Sequence, residues 1–217
     1  MKLISMVGSN NFRKSMAVIN HLGIDVEIEY LDLFQGDLQK AAYLALNPNG
    51  KVPTLVDGDF ILWESNAINQ YLCDKIPENT LYPREPRQRA DIQRWLCWEL
   101  AHYNNAFGTL VWETVAKPHF LEQEANQAVA AWAEENLLRY VKVLEQHLQN
   151  RLYMVGDSVT IADYAIIHIE WFKEMVPFDW SSYPNVNAYY EHMRESEYWA
   201  ATAPASPEEM GKKPKVA

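Results

Sequence analysis

The sequence predicts two consecutive domains, a small α/β domain with a four-stranded mixed sheet and then an all-α domain. Three observations predict this fold class. Short apolar strands alternate with helical patterns over residues 1–76, residues 77–87 hold three prolines without periodicity, and only helical spacing follows over residues 88–202. We therefore interpret residues 77–87 as a linker. The tail, residues 203–217, is polar and proline-bearing, and we expect it to be a loosely held arm.

The first domain is predicted in the order β-α-β-α-β-β-α. An apolar strand at residues 2–7 leads through the turn "GSNNFRK" into a helix that stops at Gly23. The segment "DVEIEYLD" alternates apolar and acidic residues, which is typical of a half-buried strand. Because a helix separates these two strands, we expect them to be parallel. A helix-like segment follows at residues 38–46.

The segment "TLVDGDFILW" predicts a hairpin whose two strands are joined by Asp57-Gly58 in a type I′ turn. The later helices are predicted by apolar residues at helical spacing and by two further segments, "TIADYAIIHIEWF" and residues 184–199. The spaced residues are Ile68, Leu72 and Ile76 in the first domain, and Ile92, Leu96, Leu100, Tyr103, Phe107, Leu137, Val141, Leu144 and Leu148 in the second.

The composition excludes several classes of function. The net charge of −10 over 217 residues argues against binding to a nucleic-acid backbone, which needs clustered Lys and Arg. No segment approaches the roughly 20 apolar residues of a membrane span, and the N-terminal apolar run is too short for a signal peptide. The two cysteines, Cys73 and Cys97, form no C-x-x-C pair, which favours a reducing, cytoplasmic compartment. The six scattered histidines predict no metal site.

The Val52-Pro53 step stands directly before the third predicted strand. Proline donates no hydrogen bond to a sheet, so it belongs at a strand start or on an edge. A trans proline that begins a strand is the simplest interpretation. A cis bond, common only before proline, would instead leave the N–H and C=O of Val52 pointing away from the sheet and in need of partners. A peptide-like ligand running antiparallel to this segment would supply them.

Three motifs in order give the chain a resemblance to a known family. "NPNGKVPTL", "ESNAI" and "TIADY" resemble motifs of the cytosolic glutathione S-transferases, in particular bacterial members with a serine or asparagine in the first loop. The resemblance implies a thioredoxin-like first domain, a cis Pro53 and a homodimer. It also implies detoxification chemistry, in which bound glutathione is ionised and conjugated to a small hydrophobic electrophile. Reduction of disulfides or peroxides at the same site, and non-catalytic ligand binding, are the alternatives.

The candidate glutathione contacts lie around the Val-Pro step. The resemblance implies that Val52 pairs with the cysteinyl main chain. Ser65 begins a predicted helix, whose unpaired N–H groups attract anions, so it would bind the γ-glutamyl carboxylate while Glu64 meets the ammonium. Lys51 would reach the glycine carboxylate, and Gln39 lies where the family often supplies another contact. The alternatives are an ordinary helix cap at Ser65 and a solvated loop lysine at Lys51.

The chemistry needs a thiolate, and the turn "GSNNFRK" carries the candidate groups that stabilise it. Lowering a thiol pKa from about 8.5 to ~6.5 requires about 2.7 kcal/mol, which one hydrogen bond and a helix N-terminus can supply. Ser9 has the spacing to Arg13 of the serine-type transferases. Asn11 competes with Ser9 because an amide can donate to a thiolate. Asn10 stands where one bacterial class has cysteine. A purely structural turn is the remaining interpretation.

The resemblance implies an electrophile pocket beside the first long helix of the second domain, at His102, Tyr103 and Ala106. Most aromatic residues of the segment "RWLCWELAHYNNAFGTLVW" are expected to be core, because Trp and Phe at helical spacing normally pack. Thr160 and Asp163 are predicted to form a helix capping box with a structural role. We expect the replacement Asp163→Ala to cost about 1 kcal/mol or more in stability.

Overall fold

A computed structural model gives the fold, and the structure describes residues 1–203 and 210–214. The chain forms two compact units. The first contains residues 1–82 and the described residues from Ser196 onward, and the second contains residues 83–195. Within the described ranges, no helix combines the length and the apolar character needed to cross a membrane.

The first unit is built on a four-stranded mixed sheet in the strand order β2-β1-β3-β4, so the predicted fold class is confirmed. Strand β1 is parallel to β2 and antiparallel to β3, which in turn is antiparallel to β4. The elements are β1 (Lys2–Ser5), α1 (Asn10–Leu22), β2 (Glu27–Tyr30), a 3₁₀ turn (Asp37–Gln39), α2 (Ala41–Leu44), β3 (Thr54–Asp57), β4 (Phe60–Trp63), α3 (Ser65–Lys75) and α11 (Glu197–Ala200).

The alternation predicted for the second strand is observed. Ile28 and Tyr30 are half-buried, whereas Glu27 and Glu29 are exposed and pair with Lys2 at 3.5 and 3.0 Å. The side chains on this strand therefore separate an inner apolar face from a wet face, as a period of two requires.

The hairpin differs from the predicted turn by one residue. Asp57 pairs with Phe60, so the two-residue loop is Gly58-Asp59 rather than Asp57-Gly58. Within the described part of the chain Gly58 has a φ of 63°, while Asp59 is not among the residues with positive φ. A type I′ turn requires positive φ at both loop residues, so the predicted turn type is wrong.

The second unit contains helices and no strand in the described residues. Its elements are α4 (Pro86–Trp98), a π-helical turn (Glu99–Tyr103), α5 (Asn104–Val111), a second π-helical turn (Trp112–Ala116), α6 (Lys117–Phe120), α7 (Gln127–His147), α8 (Ile161–Ile167), α9 (Glu170–Lys173) and α10 (Pro184–Arg194). The apolar residues Leu137, Val141 and Leu144 of α7 are fully buried, as their spacing predicts.

The capping box at the start of α8 is present. Asp163 is fully buried and accepts hydrogen bonds from the N–H groups of Met154 and Thr160, both at 2.7 Å. The hydroxyl groups of Thr160 and Tyr189 donate to the same carboxylate at 2.9 and 3.1 Å. Burial raises the pKa of Asp163 to about 6, although these hydrogen bonds oppose the shift.

The C-terminal end departs from the prediction in two ways. Helix α11, which the sequence predicts as part of the all-α domain, packs on α1, where the guanidinium of Arg13 lies 4.1 Å from the ring centre of Trp199. The sequence also predicts a loosely held tail. Gly211 is nevertheless buried and hydrogen-bonded at the described residues 210–214, while residues 204–209 and 215–217 lie outside the described part.

Candidate functional site

The sheet brings three predicted site segments to one edge. Strand β1 runs antiparallel to β3, with Ile4 opposite Thr54, and β3 runs antiparallel to β4, with Thr54 opposite Trp63. The residues that follow β1, precede β3 and follow β4 therefore leave the sheet at the same end. These residues are the Ser9 loop, the Val52-Pro53 step and the Glu64-Ser65 pair.

The Val52-Pro53 peptide bond is cis, as the family resemblance implies. Pro53 is buried and Val52 half-buried. Within residues 1–203 and 210–214, no hydrogen bond engages the N–H or C=O of Val52. The neighbouring carbonyl of Lys51, by contrast, accepts two. The main chain at Val52 is therefore open to an extended peptide.

A buried polar cluster holds the chain on both sides of this step. The hydroxyl of Tyr43 donates to the carbonyl of Lys51 at 2.5 Å, and the amide nitrogen of Asn47 donates to the same oxygen at 2.7 Å. Tyr43 and Asn47 also contact the hydroxyl of Thr54 at 3.0 and 3.1 Å. Burial raises the pKa of Tyr43, so its hydroxyl stays protonated and available as a donor.

Helix α3 begins at Ser65, directly after Glu64. Ser65 is buried, with 5% of its surface exposed, whereas Glu64 is exposed. Glu64 has a φ of 73° and a ψ of 110°, a conformation that costs a side-chain-bearing residue of order 1–3 kcal/mol and occurs mainly at functional sites. The first N–H groups of an eleven-residue helix and an exposed carboxylate thus lie side by side. This pair matches the carboxylate and ammonium of an α-amino acid.

The first loop contributes three polar residues with different surroundings. Ser9 is the N-cap of α1, and its Oγ accepts a hydrogen bond from the N–H of Phe12 at 3.3 Å, which leaves its own hydrogen to donate elsewhere. Asn11 is half-buried, and its Oδ1 accepts from the hydroxyl of Ser65 at 3.3 Å. The Oδ1 of Asn10 is buried without a hydrogen-bond partner in the described structure.

The residues predicted at the glycine end are also near one another. Gln39 and Lys51 are both exposed, and a Cβ added to Gly50 would lie 2.8 Å from Nε2 of Gln39. Gly50 itself has a φ of 59°, so glycine is needed here for the backbone and for the space. The side-chain amide of Gln39 therefore lies beside Gly50, the residue that precedes the exposed Lys51.

Two of the three residues assigned to the electrophile pocket are core residues. Tyr103 is fully buried, stacks on Trp98 with ring centres 5.6 Å apart, and bonds the hydroxyl of Tyr190 at 3.0 Å. Burial raises its pKa far above the ordinary value. Ala106 is 1% exposed. Their assignment to a pocket is therefore wrong, because their side chains are enclosed. His102 is exposed and lies 5.2 Å from the ring of Tyr140.

Sequence reasoning missed Tyr43, Asn47 and Thr54, which form the polar cluster around the Val52-Pro53 step. Asn47 and Thr54 lie inside the motif "NPNGKVPTL". The need for hydrogen-bond partners on both sides of the Val-Pro step could have indicated them. Tyr43 lies four residues earlier, and its position on α2 gave no local signal. Among the described residues, no group of three or more His, Cys, Asp or Glu side chains could hold a metal ion.

The chain is similar to known proteins over most of its length. Residues 1–74 match the family model for the glutathione S-transferase N-terminal domain, and residues 103–197 match that for the C-terminal domain. Glutathione S-transferase 3 of Zea mays is 36% identical over 164 residues, which are 75% of this chain and 73% of the relative.

Solved structures are similar over nearly the whole chain. The apo form of glutathione S-transferase III has a TM-score of 0.82 at 32% identity and covers 95% of this chain and 97% of its own. The glutathione transferase URE2P8 from Phanerochaete chrysosporium, solved with oxidized glutathione, has a TM-score of 0.81 at 26% identity over 93% of this chain and 92% of its own.

Proposed function

The chain belongs to the glutathione S-transferase family, and we propose how it binds and activates glutathione. The proposal names the residues that hold glutathione, the residue that ionises its thiol and the kind of molecule that the thiolate attacks. The protein is a glutathione transferase, an enzyme that takes glutathione as co-substrate. The proposal rests on one observation above all. The strand register brings the Ser9 loop, the open main chain at Val52 and the start of α3 to one edge of the sheet.

Glutathione lies extended along Val52 in this proposal. Its cysteinyl N–H and C=O pair with the main chain of Val52, which the cis Pro53 follows. The γ-glutamyl carboxylate binds the hydroxyl of Ser65 and the first N–H groups of α3, while Glu64 pairs with the ammonium. The glycine carboxylate meets Lys51 as a point charge and Gln39 as a hydrogen-bond donor. Every charged group of the tripeptide then has a partner of opposite charge or a donor.

Ser9 is the group that we assign to the thiolate. Its Oγ already accepts from Phe12, so its hydrogen is the one available for a sulfur at the N-terminus of α1. Asn11 is the competitor, because its oxygen accepts from Ser65 while its NH₂ group can donate. We assign Asn11 to orienting Ser65, and Asn10 to the structure of the turn.

The thiolate forms a carbon–sulfur bond with an electrophilic carbon, and a leaving group departs with the bonding electrons. The acceptor in this proposal is a small hydrophobic electrophile. We further propose that the protein is a cytoplasmic, detoxifying enzyme and that it forms a homodimer. The homodimer is supported by the exposed apolar side chains of β4, where Phe60, Ile61 and Trp63 are 45%, 38% and 38% exposed.

The proposal is tested by product analysis with glutathione and an activated chlorodinitrobenzene. We expect a thioether conjugate by mass spectrometry. The variant Ser9→Ala should lose roughly 10–100-fold in turnover, because one hydrogen bond to a charged group contributes about 1.5–3 kcal/mol. Ser9→Thr, which keeps the hydroxyl and the helix cap, serves as the matched control and should retain most activity. Unchanged turnover in Ser9→Ala would remove Ser9 from its role.

Disulfide or peroxide reduction at the same site is the second candidate. The observation that favours it is the amide of Asn11 beside Ser65, because an amide stabilises a thiolate without proton transfer. The relative URE2P8, solved with oxidized glutathione, is a further reason to test it. Formation of oxidised glutathione without conjugate would favour this function. Retention on immobilised glutathione without any turnover would favour a non-catalytic binding protein.

A further inference from the structure

The C-terminal segment 210–214 closes the gap where strands β1 and β2 diverge. The parallel pair ends with the N–H of Leu31 donating to the carbonyl of Ser5 at 2.7 Å. Two residues further along each chain, Gly211 lies between them. Its N–H donates to the carbonyl of Val7 at 2.8 Å, and its carbonyl accepts from the N–H of Leu33 at 2.7 Å. The main chain of one residue therefore joins the loop after β1 to the loop after β2.

The fit of this segment depends on two glycines, one in the segment and one in the loop after β1. Gly211 has a φ of 75°, and an added Cβ would lie 3.1 Å from Cε2 of Phe34. Gly8 has a φ of 80°, and an added Cβ would lie 2.8 Å from Cγ of Met210. Met210 thus covers the backbone of the residue that immediately precedes Ser9. A side chain at Gly8 would press against Met210, and a side chain at Gly211 would press against Phe34 and Leu33, so either would disturb the fit of the segment.

An ion pair fixes the other end of the segment. The ammonium of Lys213 lies 3.0 Å from Oδ2 of Asp37, a residue with 6% of its surface exposed. Hydrogen bonds from Lys40, from the N–H of Asp32 and from Lys213 hold the pKa of Asp37 well below its usual range, so the carboxylate stays charged. Asp37 stands two residues before Gln39, at the predicted glycine end of the glutathione site.

We propose that the segment 210–214 is a positioning element of the glutathione site, which holds the Ser9 loop through Val7 and Gly8 and the Gln39 loop through Asp37. This inference rests on the proposed function. It assigns Gly211 and Lys213 an effect on thiol ionisation, although neither residue is among the proposed glutathione contacts. A segment that only covers apolar surface would contribute to stability and leave the ionisation of the thiol unchanged.

The test compares Gly211→Val and Lys213→Ala with two controls in the full-length protein. Lys212→Ala removes a neighbouring exposed lysine of the same segment, and Lys213→Arg keeps the charge that pairs with Asp37. The measurement is kcat/KM for an activated chlorodinitrobenzene against pH at saturating glutathione, with a thermal unfolding curve for each variant. The rising limb of this profile reports the pKa of the bound thiol.

We expect the rising limb to move upward by about half a pH unit or more in Gly211→Val and Lys213→Ala, which is a roughly threefold loss of activity on the acidic side of the limb. Lys212→Ala and Lys213→Arg should follow the wild type. A lower melting temperature with an unchanged pH profile overturns the inference, and so does a shift in Lys212→Ala as large as in Lys213→Ala. If Gly211→Val does not fold, Lys213→Ala decides alone. Absence of glutathione-dependent turnover in the wild type would contradict the proposed function instead.

Discussion

Replacement of Asn47 by alanine is the sharpest test of how the glutathione loop is held. The Asn47 side chain is buried, with 2% of the residue exposed, and its amide nitrogen bonds the carbonyl of Lys51 and the hydroxyl of Thr54 at 2.7 and 3.1 Å. Its oxygen accepts from the main-chain and side-chain nitrogens of Asn49 at 3.1 and 3.0 Å. One side chain therefore fixes the loop on both sides of the Val-Pro step.

The magnitude follows from the bonds that are lost. Each of the two hydrogen bonds from the Asn47 amide nitrogen contributes about 1 kcal/mol, and the loss of the buried amide group adds to this, so we expect unfolding to become easier by about 2–3 kcal/mol. The carbonyl of Lys51 keeps Tyr43 as a donor. The loop should therefore loosen rather than unfold. Loss of about one net hydrogen bond to glutathione at Val52 would raise the KM for glutathione roughly fivefold.

The assay combines urea denaturation with steady-state kinetics at varied glutathione. Asn49→Ala is the matched control, because Asn49 is an exposed asparagine of the same loop whose side chain bonds only Asn47 among the described residues. It should change stability by less than about 1 kcal/mol and leave KM near the wild-type value. The reasoning is refuted if Asn47→Ala is destabilised as expected but keeps the wild-type KM, or if Asn49→Ala has the same effect on KM.

Three further predictions concern the capping box and two unusual backbone positions. Asp163→Ala should cost about 3–5 kcal/mol by urea denaturation at pH 7, more than a helix cap alone, because buried N–H groups lose their acceptor. Since the folded-state pKa of Asp163 is raised to about 6, the folded state binds this proton more tightly. The ionisable carboxyl thus lowers the free energy of unfolding by about 2 kcal/mol as pH rises from 4 to 6, and a pH series on Asp163→Ala should lack this component. Gly50→Ala should raise the KM for glutathione several-fold by displacing Gln39, and an unchanged KM would argue against the proposed glycine end. Glu64→Gly should raise the melting temperature, since glycine adopts the positive φ without strain, while weakening glutathione binding. A lower melting temperature would contradict the strain.

Most of the fold could be predicted from the sequence, because the local sequence patterns agree with the pairing of the strands in the structure. The alternation around Ile28 and Tyr30 fixes which face of β2 is wet, and this face is the same in the structure. The prolines of residues 77–87 separate the two kinds of periodicity. The hairpin loop was missed by one residue, because Asp-Gly and Gly-Asp are both acceptable turn pairs and only the pairing of Asp57 with Phe60 distinguishes them.

Local structure at the candidate site was predictable where a residue type has one strong chemical reason to be there, and less so where packing decides. The cis bond before Pro53 and the helix that begins at Ser65 are examples of the first kind. Tyr103 is an example of the second, because a tyrosine at helical spacing fits a pocket or a core equally well. Its burial and its contacts with Trp98 and Tyr190 show that it is a core residue. The contact of Gly211 with Val7 spans almost the whole chain. No local pattern signals such a contact.

The central assignment is that a group at the start of α1 ionises glutathione, and the ultraviolet absorbance of the bound thiolate measures this directly. Titration of the glutathione complex against pH should give an apparent thiol pKa near 6.5 in the wild type, about two units below free thiol, and a value at least about one unit higher in Ser9→Ala. Asn11→Ala should shift it less. An apparent pKa that stays the same in both variants would contradict the assignment of the loop, and a larger shift in Asn11→Ala than in Ser9→Ala would transfer the role to the amide.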